Sequence, residues 1–282
     1  MSHGHWIAFE IAVPADYQEF LIAELSDLGF DGFEQEPDAM KAYIEEQKLD
    51  DVVREQLFGG VESMGHGCHV RGEVRIEPRN WNEEWERTIE PMEVGRFWVY
   101  PSWTSETCPA DLIPLMIDPK QAFGTGYHET TRLILRMLPE AVKAGGSVVD
   151  VGTGTGILAI AALKLGADTA FGFDIDEWSF DNARENIWLN GVQERMRVAI
   201  GSFETVPQGA TYELVLANVI RDMLLAHATE VVSLAKPGGE IVLSGLMLPD
   251  EAPIRAHPTY AALIHLETTT EGEWCAIRYR KP

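Results

Sequence analysis

The sequence contains very little cysteine. Cys68, Cys108 and Cys275 are the three cysteines among 282 residues, and they lie far apart with no CxxC pair. An odd and sparse set of cysteines does not form a disulfide framework and lacks the ligand spacing of a zinc site. We therefore predict neither structural disulfides nor a bound metal.

Long apolar runs are also missing. None reaches the ~18 residues that a transmembrane helix needs. The N-terminal stretch MSHGHWIAFEIAVP has neither the basic start nor the long apolar core of a secretory signal peptide. These absences predict a cytoplasmic protein without a membrane partner, for which we take a monomer as the default state.

Basic residues are in short supply. The chain has 22 Lys and Arg against 45 Asp and Glu, a formal net charge of −23, and its first 90 residues hold 21 acidic and only seven basic residues. Such a surface repels nucleic acid and attracts basic partners. Acidic charge that only maintains solubility is an equally good explanation. The length and the 45% hydrophobic content are typical of a folded chain with two domains.

The first 80 residues alternate between strand and helix patterns. Apolar alternation predicts strands at 6–13, 30–35, 40–45 and 69–77, and helical spacing predicts helices that begin at Asp16 and Asp50 and end near Gly29 and Gly59. The order β-α-β-β-α-β indicates a ferredoxin-like α+β domain. No catalytic constellation is present in it.

A tryptophan-rich stretch, residues 80–104, follows this domain. Trp81 and Trp85 are four residues apart and would share one helix face, where they are expected to serve as packing anchors. We therefore divide the chain into a domain at 1–79, a connector at 80–104 and a second domain at 105–282.

The most informative stretch runs from 148 to 174. An apolar strand at 148–151 leads into a glycine-rich turn at 152–156, then a helix at 157–165 and a second strand at 170–173 that ends on Asp174. Strand, glycine turn, helix, strand and acid form the first half of a doubly wound nucleotide-binding sheet. An acid at the tip of the second strand can accept both hydroxyls of a ribose.

The glycine spacing bears on which nucleoside is bound. Dinucleotide sites favour G-x-G-x-x-G, whereas Gly152, Gly154 and Gly156 form G-x-G-x-G with Asp150 two residues before the first glycine. That pattern is similar to the first motif of class I methyltransferases, which bind S-adenosylmethionine. A tight turn that binds nothing is the alternative.

Further candidates lie on either side of this stretch. The glycines, aromatic and hydroxyl residues of 122–131 form a loop that could wrap a small ligand or simply begin a helix. Later strands are predicted at 197–200, 212–217 and 240–244, with a helix at 223–234 and a closing strand pair at 260–267 and 273–279. Ligands bind beyond the carboxyl ends of parallel strands, so Asn218 would face the reaction centre and Ser202 an adenine.

Several segments together resemble one family, the PrmA methyltransferases, which modify ribosomal protein L11. The matching segments are IEPMEVGRFWVYPSW at 89–103, DPKQAFGTGYHETTRLIL at 118–135, VVDVGTGTGILAIAALKLGA at 148–167, ANVIRDML at 217–224, LAKPGGEIVLSG at 234–245 and EWCAIRYRK at 273–281. The resemblance implies a Rossmann-like class I methyltransferase domain after a small ferredoxin-like substrate-recognition domain. It also implies methylation of lysine and N-terminal amines of L11 from S-adenosylmethionine.

Carried over by position, the resemblance assigns roles to individual residues. Thr131 would contact the cofactor, Gly152 and Gly154 would lie in the turn against it, and Asp174 would hold its ribose. Asn218 would lie at the methyl-transfer point, as a positioning residue. Phe123 and Thr125 would belong to the loop that wraps the cofactor.

The chemistry needs a neutral amine and no general base is assigned for it. His128 can act as a base or simply order its loop. Asn218 is followed by Val219-Ile220-Arg221 rather than by the Pro-Pro-Tyr of methyltransferases that act on planar amides or adenine, which favours an amine substrate. Three alternatives stay open: an NAD-dependent oxidoreductase, a non-catalytic binding protein on this scaffold, and a related class I methyltransferase acting on another protein lysine or a small-molecule amine.

Overall fold

The N-terminal strands form one antiparallel sheet. In the computed structural model, which describes residues 5–76, 89–120, 124 and 126–282, this sheet has the order β2-β3-β1-β4. The elements in chain order are β1 (Trp6–Ala12), α1 (Ala15–Asp27), β2 (Gly32–Glu36), β3 (Ala39–Glu45), α2 (Asp51–Ser63) and β4 (His69–Ile76). This order, with β1 paired to both β3 and β4, is the ferredoxin-like topology that the sequence predicts.

Alternation in the strands determines which side of this sheet is buried. Phe9 and Ile11 of β1 and Met40 of β3 are fully buried, and the two helices add Leu21 and Leu57 to the same core. Burial of this apolar face against two amphipathic helices is what stabilises so small a unit.

The remainder of the described chain contains two further sheets. The small sheet has the order β5-β6-β7, and the large sheet has seven strands in the order β10-β9-β8-β11-β12-β14-β13. The strands are β5 (Met92–Val94), β6 (Phe97–Tyr100), β7 (Ile113–Met116), β8 (Ser147–Val151), β9 (Thr169–Asp174), β10 (Met196–Ile200), β11 (Tyr212–Asn218), β12 (Ala235–Met247), β13 (Ile264–Glu271) and β14 (Trp274–Arg280). The helices are α3 (Glu129–Ala141), α4 (Ile157–Lys164), α5 (Glu177–Leu189), α6 (Arg221–Ala226), α7 (Ala228–Ser233), α8 (Glu251–Ala256) and α9 (Pro258–Ala261).

The large sheet reverses its winding between β8 and β11. The strands from β8 to β12 pair in parallel, and β14 is antiparallel to both of its neighbours. This is the doubly wound class I methyltransferase arrangement expected from the sequence. In such sheets the crevice at the reversal, beyond the carboxyl ends of the strands, is where ligands bind. The residues that follow β8 and β11 therefore flank the candidate site.

Three predicted elements are wrong in detail. The helix predicted to end near Gly59 continues to Ser63, because Leu57 and Val61, four residues apart, both bury into the core and outweigh the poor helix propensity of the glycines. The helix predicted at 223–234 is two helices separated at His227, where no glycine or proline signals a break.

The third error concerns the start of the closing strand pair. Tyr260 lies in α9, which begins at Pro258, and its hydroxyl donates a hydrogen bond to the carbonyl of Leu224 at 2.8 Å. Proline is favourable at the first position of a helix, but the prediction followed the apolar pattern of 260–267 and therefore missed this helix.

The chain divides into two compact units, residues 1–81 and 82–282. The predicted three-part division and the pairing of Trp81 with Trp85 remain predictions, because much of the proposed connector, including both tryptophans, lies outside the described residues. Within the described ranges, no helix combines the length and apolar character that crossing a bilayer would require.

Candidate functional site

The glycine turn after β8 has a backbone that only glycine readily adopts. Gly152 has φ +67°, and its amide donates to the carbonyl of Phe173 at 3.0 Å. A Cβ on Gly152 would lie 2.6 Å from Cγ1 of Val219, the residue after Asn218. A side chain at Gly152 is therefore disfavoured for two reasons: the backbone has a positive φ, and the end of β11 leaves no room for a Cβ.

Asp174 joins the end of β9 to this turn. Its Oδ2 accepts a hydrogen bond from the amide of Gly154 at 2.9 Å, and its Oδ1 accepts one from the amide of Asp176 at 3.1 Å. The amide of Gly201 in turn donates to the carbonyl of Asp174 at 2.8 Å. The acid that the sequence assigns to a ribose thus lies between the glycine turn and the segment after β10.

Asp150 is a buried carboxyl beneath the turn. Its side chain is 1% exposed and accepts a hydrogen bond from the hydroxyl of Thr153 at 2.9 Å. Burial raises the pKa of Asp150 to about 7 and the charge of Asp174 adds to this rise, while hydrogen bonding from Thr153 and the Ala159 amide opposes it. Asp150 therefore supports the turn rather than presenting a surface charge.

Asn218 and Thr131 meet on the other side of the crevice. Asn218, 9% exposed, donates from Nδ2 to the hydroxyl of the fully buried Thr131 at 3.3 Å, across 87 residues of chain. The amide oxygen of Asn218 is buried and has no hydrogen-bond partner among the described residues. A buried acceptor without a partner is costly, so a ligand that donates a hydrogen bond here would relieve that cost.

His128 begins the helix that carries Thr131. Its Nδ1 accepts a hydrogen bond from the amide of Thr130 at 3.3 Å and lies 2.8 Å from the Thr130 hydroxyl. Its ring packs edge-on against Trp274, with centroids 4.7 Å apart. These contacts favour the loop-ordering role of His128 over the role of a general base.

Three further residues were predicted at the site: Ser202, Phe123 and Thr125. Ser202 follows β10, and its amide donates to Oε1 of Glu204 at 2.8 Å. Phe123 and Thr125 lie outside the described residues. Between them, the carbonyl of Gly124 accepts a hydrogen bond from the hydroxyl of Thr155 at 2.6 Å, which ties this part of the chain to the glycine turn.

Sequence reasoning missed an apolar surface beside Asp174. Ile175 is 79% exposed and Trp178 is 57% exposed, immediately after the ribose-binding candidate. Large apolar side chains left in water next to a crevice are typical of ligand-binding walls. A signal for this surface was present in the sequence DIDEW at 174–178, where two large apolar residues interrupt an acidic stretch.

No grouping of three or more potential metal ligands occurs within the part of the chain that the structure describes. The site therefore consists of glycine backbone, two carboxyls and neutral polar side chains at the crevice between β8 and β11. That composition suits a polar organic ligand.

Comparison with known proteins gives a consistent result. A family model described as ribosomal protein L11 methyltransferase (PrmA) matches residues 17–282. The chain is 31% identical to a ribosomal protein L11 methyltransferase from Pelobacter propionicus, covering 98% of this chain and 97% of that protein. It is 33% identical to one from Chlorobaculum parvum, covering 97% of this chain and 95% of that protein.

A solved structure is similar as well. The crystal structure of a ribosomal protein L11 methylase from Lactobacillus delbrueckii subsp. bulgaricus superposes with a TM-score of 0.63 at 28% identity. The match covers 69% of this chain and all of that one.

Proposed function

The chain belongs to the ribosomal protein L11 methyltransferase (PrmA) family, and from that premise we propose that it transfers methyl groups from S-adenosylmethionine to lysine side-chain and N-terminal amines of ribosomal protein L11. The observation that carries the proposal is the position of Asn218. Its amide oxygen is buried and has no hydrogen-bond partner among the described residues, at the end of a strand beside the reversal of the sheet, and the next residue, Val219, lies against the glycine turn.

The residues present fit this cofactor. Gly152 leaves a space that a Cβ could not share with Val219, and Asp174 offers carboxylate oxygens beside the turn. We propose that Gly152 and Gly154 receive the amino-acid end of S-adenosylmethionine, that Asp174 holds the ribose, and that Thr131 and Ser202 complete the contacts. Phe123 and Thr125 are proposed contacts as well, on the family resemblance alone. The cofactor supplies a methyl group on a cationic sulfonium.

The protein's own part is to position and desolvate the attacking amine. An unperturbed lysine has a pKa of ~10.4 and is almost wholly charged at pH 7. A partly apolar pocket disfavours that charge. Asn218 can orient the attacking amine through its amide oxygen, which has no hydrogen-bond partner among the described residues. Because His128 caps a helix, we propose that the proton lost by the amine goes to solvent. The gain comes from orientation and exclusion of water.

The first unit suits a docking role for a basic protein. Its helices carry exposed carboxylates that form no ion pair with any described residue: Asp16, Glu19, Glu24 and Asp27 on α1, and Asp51, Glu55 and Glu62 on α2. Several acids on the strands and their loops are instead paired with bases, as in Glu10–Arg71 at 3.1 Å and Glu46–Arg75 at 2.8 Å. We propose that residues 1–79 recognise the substrate through this helical face.

The same charge bears on partners and location. A net charge of −23 repels nucleic acid, so we propose that the protein contacts ribosomal protein rather than RNA. One chain carries every proposed site residue, which supports a monomeric enzyme. A substrate of this kind implies action in the cytoplasm.

The decisive experiment incubates unmethylated L11 with the protein and S-adenosylmethionine and measures the L11 mass. We expect gains in steps of one methyl, localised to lysines or to the N-terminal amine. If L11 gains no mass while calorimetry detects cofactor binding, L11 is not the substrate, and the protein is either a related methyltransferase with another amine substrate or a non-catalytic binding protein on this scaffold. If neither is observed, the proposed function is wrong.

A further inference from the structure

Two asparagines of α5 and the asparagine that caps its C-terminal end form hydrogen bonds with the backbone at the end of β7 and just beyond it. Asn182 donates to the carbonyl of Asp118 at 2.7 Å. Asn182, Asn186 and Asn190 are four residues apart and so share one face of the helix. Asn190 accepts from the amide of Met116 at 3.2 Å and donates to its carbonyl at 2.6 Å. Asn186 does the same for Asp118, accepting from its amide at 2.9 Å and donating to its carbonyl at 3.3 Å.

Asn186 differs from its neighbour in one contact. Its Nδ2 also donates to the carbonyl of Thr155 at 3.0 Å, inside the glycine turn. The side chain is fully buried, and both its donors and its acceptor are used. Asn186 is therefore a bridge between Asp118 and the turn, whereas the hydrogen bonds of Asn190 to described residues go to Met116 and to the backbone of its own helix.

Thr155 extends this bridge to a second point of the same segment. Its hydroxyl donates to the carbonyl of Gly124 at 2.6 Å, and its side chain is fully buried. Asp118 is held independently by Ser102, whose amide and hydroxyl each lie 2.7 Å from its carboxylate oxygens. Asp118 and Gly124, six residues apart, are thus both tied to the glycine turn.

We propose that Asn186 is a positioning residue for cofactor binding, which acts through Thr155 to hold Asp118 and Gly124 against the glycine turn. The inference rests on the proposed function. Asn186 is fully buried and contacts the turn through the carbonyl of Thr155, so its contribution is to hold in advance the backbone that receives the ligand. When the binding site is already ordered before the cofactor binds, less of the binding free energy is lost to ordering it.

Loss of this bridge should weaken cofactor binding more than turnover. Once the cofactor is bound, its own contacts restore the backbone, so kcat at saturating S-adenosylmethionine should change little. The Kd for S-adenosylmethionine should rise, because each binding event must now bring Asp118 and Gly124 back against the glycine turn.

The test compares Asn186→Ala with Asn190→Ala, each made in the full chain. Each variant loses three hydrogen bonds, two of them to part-buried backbone groups of Met116 or Asp118, so both should lower the unfolding midpoint. The Asp118 carbonyl keeps the bond that Asn182 donates at 2.7 Å. By calorimetry with S-adenosylmethionine, we expect the Kd of Asn186→Ala to rise roughly tenfold and that of Asn190→Ala to stay within about twofold. An equal Kd for the two variants would overturn the inference.

A second pair protects the test if Asn186→Ala fails to fold. Thr155→Val removes the hydroxyl that reaches Gly124 but keeps the side-chain volume, and Thr155→Ser restores the hydroxyl. We expect a weaker Kd for Thr155→Val and recovery in Thr155→Ser; a Kd for Thr155→Val equal to that of the unmodified protein would also count against the inference. The unmodified protein is the separate check on function, since its failure to bind S-adenosylmethionine would refute the proposed function itself.

Discussion

The two units of this protein use polar side chains in opposite ways. On α1 and α2 of the first unit most charged side chains are carboxylates in water, without ion-pair partners among the described residues, although Gln18 of α1 is buried and hydrogen bonded to backbone carbonyls. Around the crevice of the second unit polar side chains are buried and hydrogen bonded, as for Asn186, Thr155 and Thr131. Exposed charges act over several ångströms and are screened by salt, whereas buried groups act only at contact. We therefore propose that substrate recognition depends on the exposed charges of the first unit and that catalysis depends on the hydrogen-bond geometry of the second.

Several acids of the second unit form ion pairs with arginines of the same unit. Arg278, whose side chain is 12% exposed, lies 3.0 Å from Glu140 and 2.8 Å from Glu267. Arg132 and Arg136 both contact Glu271, which joins α3 to β13. Such paired acids contribute little field at a distance, but other exposed acids of the second unit, such as Glu93 and Asp181, form no ion pair with any described residue. Unpaired negative charge is therefore present on both units.

The largest effect that would test this contrast is expected from Asp174→Ala. The variant loses the proposed ribose acceptor and also frees the amide of Gly154 and that of Asp176. The proposed hydrogen bonds from the two ribose hydroxyls to this carboxylate are charge-assisted and worth about 1.5–3 kcal/mol each. Their loss should raise the Kd for S-adenosylmethionine by ~100-fold or more. Calorimetric titration measures it.

Asp168→Ala is the matched control. Asp168 is exposed and precedes β9 at the opposite end of the strand from Asp174, so the change in charge and in residue type is the same. Its Kd should stay close to that of the unmodified protein. If both variants bind the cofactor normally, the site assignment in the second unit is wrong.

The next effect concerns the buried carboxyl of Asp150. Its folded-state pKa of about 7 exceeds the ~3.9 of an unfolded aspartate, so the folded chain binds this proton more tightly between those values. The stability that Asp150 contributes is therefore complete at low pH and is lost as the pH rises towards 7. Asp150→Asn removes this dependence.

Denaturant unfolding of Asp150→Asn and of the unmodified protein at pH 5.5 to 8 measures the difference. The stability of the variant relative to the unmodified protein should increase by roughly 2 kcal/mol up to about pH 7 and then level off. Thr153→Val removes a hydrogen bond that favours the ionised form and should move that plateau to higher pH. A difference that does not vary with pH would mean that Asp150 is ionised in the folded protein throughout the range.

The smallest expected effect comes from the first unit. Changing four carboxylates of α1 to amides, as Asp16→Asn, Glu19→Gln, Glu24→Gln and Asp27→Asn together, should raise the KM for L11 by roughly tenfold at low salt, because single surface charges are worth well under 1 kcal/mol each. Cofactor Kd should not change. The difference in KM should shrink at about 0.5 M salt, where the Debye length is only a few ångströms.

A second set of four substitutions controls for net charge. Glu10, Glu34, Glu46 and Glu73 already pair with bases, so their replacement by glutamine changes the total charge equally but removes no free carboxylate. We expect the KM for L11 to rise by less than about threefold. Equal effects of the two sets would show that net charge, and not the helical face, attracts the substrate.

Local patterns in the sequence predict most elements of both units. Alternation in 6–13 and the glycine turn after 148–151 predict β1, β8 and α4, because burial on one side leaves a direct trace in residue spacing. The break at His227 has no such trace, and the continuation of α2 past Gly59 depends on how Val61 packs. These errors arise where contacts distant in sequence decide a local conformation.

The sequence by itself determined the strand, turn, helix and acid between 148 and 174, since glycine conformation and apolar runs are properties of neighbouring residues. Only the tertiary structure decided that Asn218 meets Thr131 and that Asn186 joins Asp118 to Thr155. Those contacts span 87, 68 and 31 residues of chain. They depend on strand order and helix docking, which bring buried donors to acceptors that no local spacing can identify.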